Sequence, residues 1–189
     1  MANADEDTTT QKLHEILVDE IYNSGKVAGF DDTLLQVATR DAKFPNFNGT
    51  LLDKMPDLHV TIIGRTGVRQ SQDGIFIECK PVDQNHTAGV HYCDKGISRF
   101  VKGDYAWAMT TAIMVAYVAD GYTIDPKLLD ALKKSVSIVT QIMPANCPSS
   151  PTILFCEQTQ VSRHKRCFKY VETGLDAPSI ELRHVWLKR

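Results

Sequence analysis

The chain has 189 residues, 43% of them hydrophobic and 23% charged, which is the composition of a globular domain long enough to bury one full core. A net charge of −2 gives no overall basic field, so a nucleic-acid partner would have to be met by a local basic rim. No stretch approaches the ~20 uninterrupted apolar residues of a membrane span, and residues 1–11 are polar and acidic where a signal peptide needs an apolar core.

A single domain over residues 1–189 is expected, with residues 1–10 flexible. Residues 11–24 read as an amphipathic helix with Leu13, Ile16, Leu17 and Ile21 on one face. Glu20 projects to the centre of that face and Glu15 to the opposite side. A carboxylate is rarely buried without a partner, so Glu20 either serves a buried site or curls out to water at the helix end. Gly25 and Gly29 interrupt the helix, and Asp31-Asp32 is placed to cap a second short one carrying Leu34, Leu35 and Val37. Pro45-Asn46-Phe47-Asn48-Gly49 reads as a turn and Thr50-Leu51-Leu52 as a short strand.

The apolar run Leu58-His59-Val60-Thr61-Ile62-Ile63 and the run Gly74-Ile75-Phe76-Ile77-Glu78-Cys79-Lys80 flank a polar, glycine-bearing segment, as two antiparallel strands do. Alternation puts Glu78 and Lys80 on one face and Ile77 and Cys79 on the other. Pairing Ile63 with Gly74 sets Asp57 opposite Lys80, so Asp57, Glu78 and Lys80 converge at one end of the hairpin. Two carboxylates beside an ammonium suit a hard divalent cation with oxygen ligands. The bland alternative is a surface hairpin whose carboxylates pair with Lys80.

Residues 81–93 are polar and leave this corner directly, as a substrate-contacting or lid loop would. Residues 94–119 read as mostly helical, with a junction at Gly103. Beyond it residues 105–118 are apolar on nearly all sides, which implies a buried core helix or a helix with one face in a homodimer. Asp125-Pro126 opens a further helix carrying Leu128, Leu129, Leu132, Val136 and Val139, and Pro144 ends it. Residues 152–156 read as a short buried strand and residues 179–187 as an alternating strand. The order of elements predicts an α/β fold with a mixed β-sheet flanked by helices. Cys79, Cys93, Cys147, Cys156 and Cys167 are odd in number with no CxxC pair, which implies reduced thiols and a cytoplasmic protein. His86, His91 and Cys93 lack a standard zinc spacing.

The motif Pro56-Asp57 followed by Glu78-Cys79-Lys80 resembles that of the PD-(D/E)xK nuclease superfamily, over roughly residues 12–120. The resemblance implies a restriction-endonuclease-like core and Mg²⁺- or Mn²⁺-dependent cleavage of phosphodiester bonds, in DNA more than RNA. It implies that Asp57, Glu78 and the Cys79 carbonyl hold the metal and that Lys80 positions the attacking water. It also gives Glu20 a role, since many members carry a glutamate on the first core helix that reaches the metal. Arg99 and Lys102, at the start of the helix after the motif, match the place where members set a basic residue near the scissile phosphate; a solvated helix start is the alternative. Arg163, Lys165 and Arg166 form the local basic cluster of the chain, a candidate contact for a nucleic-acid backbone or a plain solvated loop. A lone compact nuclease would suit defence against foreign DNA, with target choice left to a homodimer or a partner subunit. The reading from another class is a catalytically silent nuclease-like subunit that binds nucleic acid or protein.

Overall fold

The computed structural model describes residues 5–65, 69–135, 140–142 and 159–188. Helix α1, Glu6–Glu15, starts where Asp5 leaves extended backbone and accepts a hydrogen bond from the Thr8 N–H at 2.8 Å. This is an N-cap, reinforced by Glu6 and Asp7 in the first turn. Residues 6–10 lie in this helix. The helix continues through Ile16–Tyr22 in wider turns, the Asn23 N–H bonding back to the Val18 carbonyl at 2.9 Å. Turns closed by bonds five residues apart rotate less per residue than an α-helix. Leu13 and Leu17 accordingly stay on the sheet, Val18 and Tyr22 turn toward Leu35, Ala38 and Val60, and Glu20 is left exposed.

Two other local expectations fail for reasons of side-chain chemistry. Asp31 accepts from the Thr33 N–H at 3.0 Å, forming an Asx-type turn instead of capping a helix. Residues 50–52 are not a strand. The Asn46 side chain holds the Leu51 N–H at 3.1 Å and the Thr50 hydroxyl at 3.2 Å, and the chain next pairs at Lys54, across from Phe44.

Among the described residues seven strands form one mixed sheet: β1 Thr39–Arg40, β2 Leu58–Val60, β3 Ile75–Val82, β4 Thr111–Val118, β5 Thr140–Ile142, β6 Thr159–His164 and β7 Ile180–Lys188. Their spatial order is β1-β2-β3-β4-β7-β6-β5, with β3-β4 and β4-β7 parallel and the other neighbours antiparallel. One face carries Leu58, Ile77, Cys79, Val115 and Tyr117 under Leu13 and Leu17. The other carries Phe76, Met114, Ala116, Leu182 and Trp186 under residues of the helical stretch Ala88–Ile97, of α2 (Ser98–Lys102) and of α3 (Ile124–Lys134). The molecule is thus α/β with helices on both faces of the sheet.

The segment 105–118 is the main correction. α2 ends at Gly103 (φ 75°), residues 104–110 run through turns, and Thr111–Val118 is the central strand β4. A parallel strand buried on both faces is apolar all round, as a buried helix is, and periodicity cannot separate the two. The β-branched Thr111, Ile113, Val115 and Val118 are at home in a strand. Both apolar faces are covered within the chain and Trp107 is buried, so the argument for a homodimer through this segment falls away. In α3, Asp125 is extended (φ −99°, ψ 132°), as a residue flanking a helix start should be, and Leu128, Ala131 and Leu132 enter the core. Val136, Val139 and the strand expected at 152–156 lie outside the described residues. β7 coincides with the alternating segment read from the sequence, burying Ile180, Leu182, His184 and Trp186.

Candidate functional site

The hairpin register differs from the expected one by two residues: Leu58 pairs with Ile77, His59 with Phe76 and Val60 with Ile75. That register brings Asp57 toward Glu78, where Lys80 was expected. A shift of two leaves every side chain on its face, so the convergence survives. β2 begins at Leu58, and the Cys79 N–H, two residues beyond the last pair, donates instead to Asp57 Oδ2 at 2.6 Å. The motif aspartate thus completes the strand edge with its side chain.

Lys80 Nζ sits at the centre of the corner. It lies 2.6 Å from Glu6 Oε1, 3.0 Å from Glu78 Oε1 and 3.6 Å from Asp57 Oδ2, and it donates to the Cys79 carbonyl at 2.8 Å. Glu78 is fully buried; its Oε1 is also 3.0 Å from Arg99 Nη1, and its Oε2 accepts from the Tyr105 hydroxyl. Oε1 has close cations on two sides but no hydrogen bond of good geometry among the described residues. Burial, helped by the neighbouring Asp57 carboxylate, pushes Glu78 up to about 7 against the pull of Lys80 and Arg99. Burial also raises Asp57, opposed by Lys80 and the Cys79 N–H. For Lys80 burial works against the charge, but Glu78, Asp57 and Glu6 together outweigh it and hold the ammonium above its ordinary value. A lysine held charged can orient a water or steady an anion; it cannot take a proton from water near neutral pH.

Of the residues singled out from sequence, Asp57, Glu78, Cys79 (by its carbonyl), Lys80 and Arg99 meet here. Glu20 does not: the wider turns after Glu15 swing it into solvent, and the carboxylate that α1 delivers is Glu6. Asp5, with Thr8 three residues on and acids between them, is a capping pattern that marks the true helix start. Tyr105, missed because its segment was read as helix, comes from the turns after Gly103. Lys102 is exposed, with no ion pair or hydrogen bond to the corner. Arg163 pairs with Glu181 at 3.8 Å on the far strands, and Lys165 is exposed beyond it. Arg166 is a correction. It is buried and donates to the carbonyls of Trp107 (2.6 Å), Ala106 (3.0 Å) and Met109, so it holds the 106–109 turn and has no free face for nucleic acid.

The donors around Lys80 are hard oxygens, the kind Mg²⁺ or Mn²⁺ takes, and Glu78 Oε1 is a buried acceptor with capacity to spare. Among the described residues, however, no three His, Cys, Asp or Glu side chains are spaced to enclose a metal ion, and the Lys80 ammonium stands between the carboxylates. No helix among them is long and apolar enough to cross a membrane. Compared with protein-family models, curated proteins and solved structures, the chain gives no match.

Proposed function

We propose that the protein is a metal-dependent nuclease that hydrolyses phosphodiester bonds, with DNA as substrate ahead of RNA and a restriction-endonuclease-like core. The observation that carries this reading is the corner itself: Asp57, Glu78 and Lys80 arrive from two adjacent strands, joined by Glu6, in a sheet flanked by helices. A structural ion pair has no need of three carboxylates around one ammonium, and such crowding costs desolvation without a matching gain. Asp57, Glu78 and the Cys79 carbonyl would hold Mg²⁺ or Mn²⁺, which when bound supplies Lewis-acid stabilisation of charge on the phosphoryl oxygens. Lys80, kept protonated, orients the attacking water and Arg99 faces the phosphate. The cytoplasmic setting expected from the cysteines belongs to the same proposal.

One observation favours the second reading, a catalytically silent subunit that binds nucleic acid or protein: the ammonium of Lys80 already fills the space between the carboxylates. Cleavage of circular and linear DNA with Mg²⁺ or Mn²⁺, beside calorimetric titration of the metal, separates the two. Activity lost in both Asp57→Ala and Lys80→Ala, with the fold retained, supports the nuclease. No cleavage and no metal uptake by the unaltered protein leaves the silent subunit.

A further inference from the structure

A cleft opens on the outer side of the corner, lined by Asp53, Lys54, Met55, Arg99, Asp104 and Tyr105. Two of these, Arg99 and Tyr105, also hold Glu78, so the cleft and the site share side chains. Lys54 lines the same cleft and is not an arbitrary surface lysine. Its backbone is fixed by a two-way bridge to Phe44: the Phe44 N–H donates to the Lys54 carbonyl at 2.8 Å and the Lys54 N–H returns to the Phe44 carbonyl at 3.0 Å. Phe44 is itself buried against His59 and Phe76 of the site hairpin. The Lys54 ammonium lies 3.6 Å from Asp104 Oδ2, with both side chains partly open to water.

From this geometry we infer that the cleft is the track for the substrate's sugar–phosphate backbone, and that Lys54 is a phosphate-binding residue for which the Asp104 carboxylate stands in when no nucleic acid is bound. The inference rests on the nuclease reading for its substrate class. An ammonium that pairs with a carboxylate pairs equally with a phosphate oxygen, and the exchange leaves no buried charge behind because Asp104 returns to water. Arg99 and Lys54 line the cleft with two carboxylates, Asp53 and Asp104, so release of Lys54 from Asp104 presents a second cation beside Arg99. Lys54 released in this way is the local cationic contact that a chain of net charge −2 needs, in a cleft whose own charges balance.

The test is fluorescence anisotropy of a labelled single-stranded DNA oligonucleotide and its duplex, without divalent metal, at low and moderate salt. The proteins are the unaltered chain, Lys54→Gln, Lys54→Arg and Asp104→Asn. Lys54→Gln should weaken binding about 3- to 10-fold at low salt and flatten the salt dependence by about one phosphate contact. Lys54→Arg should restore it, and Asp104→Asn, which removes the competing carboxylate, should tighten it. Both Lys54→Gln and Asp104→Asn binding as the unaltered protein does, with the same salt slope, overturns the inference; so does an unaltered protein that binds neither oligonucleotide. The two readings fail separately. Lys54-dependent binding with no cleavage in Mg²⁺ or Mn²⁺ keeps the cleft and removes the nuclease, whereas cleavage with an unchanged Kd and KM in Lys54→Gln does the reverse.

Discussion

Replacing Lys80 by Met keeps most of the stem volume and removes a cation that touches Glu6, Asp57 and Glu78 together. Taking one partner from a buried ion pair costs about 3–5 kcal/mol, because the charge left behind is uncompensated. Glu6 is a third exposed and screened by water, and Arg99 still faces Glu78 at 3.0 Å, so the low end applies, about 3 kcal/mol at pH 8. The deficit has a definite pH dependence. Glu78 and Asp57 have folded-state pKa values raised above those of the unfolded chain, so their ionised forms already oppose folding once the pH exceeds the unfolded values. Without Lys80 both rise further, and their protonated forms are favoured in the folded state. The loss in Lys80→Met should therefore be greatest above about pH 7 and shrink as the pH falls toward 4.5, protons taking over the role of the missing ammonium. Urea denaturation followed by circular dichroism at pH 8 and pH 5, on the variant and the unaltered protein, reads the difference directly. A variant as stable as the unaltered protein at pH 8, or one whose deficit grows on acidification, would refute the reasoning.

Tyr105→Phe removes the hydroxyl that donates to buried Glu78 Oε2 and should cost about 1–3 kcal/mol, seen as a lower Tm, because the acceptor is left unsatisfied. An unchanged Tm would show that the bond contributes nothing. Glu6→Gln, which removes a carboxylate 2.6 Å from the water-orienting Lys80, should lower cleavage, while Glu20→Gln should leave it near normal; equal activity of the two variants would detach α1 from the site. His164 and His184 are buried around Ser162, and burial lowers them to about 4 and about 3. With folded-state values below the unfolded 6.5, their contribution is present above pH 6.5 and is lost as the pH falls toward 4, on the order of 3 kcal/mol per ring. Replacing His184 by Gln should remove part of that acid sensitivity in urea midpoints taken at pH 7 and pH 4.5; an identical slope in the variant would show that this ring does not titrate with unfolding.

Whatever depends on alternation and short spacing is legible in the residues alone. The two runs around Asp57 and Glu78-Cys79-Lys80, the faces of those residues, the alternation of β7 and the start of α3 at Asp125-Pro126 all follow from neighbours two to four residues apart. The slip of two in the hairpin register left those faces intact for the same reason. The rest depends on long-range packing. An apolar segment such as 111–118 satisfies a buried helix and a central strand equally, and the choice falls to the parallel neighbours β3 and β7 that take its backbone hydrogen bonds. The wide turns after Glu15 break the 3.6-residue phase that pointed Glu20 inward, and Glu6 reaches Lys80 across 74 residues of chain. Arg166 belongs to a basic run in the sequence, but in the fold three carbonyls of the 106–109 turn surround it. A charge pattern gives the identity of a side chain, and burial is what fixes its partner.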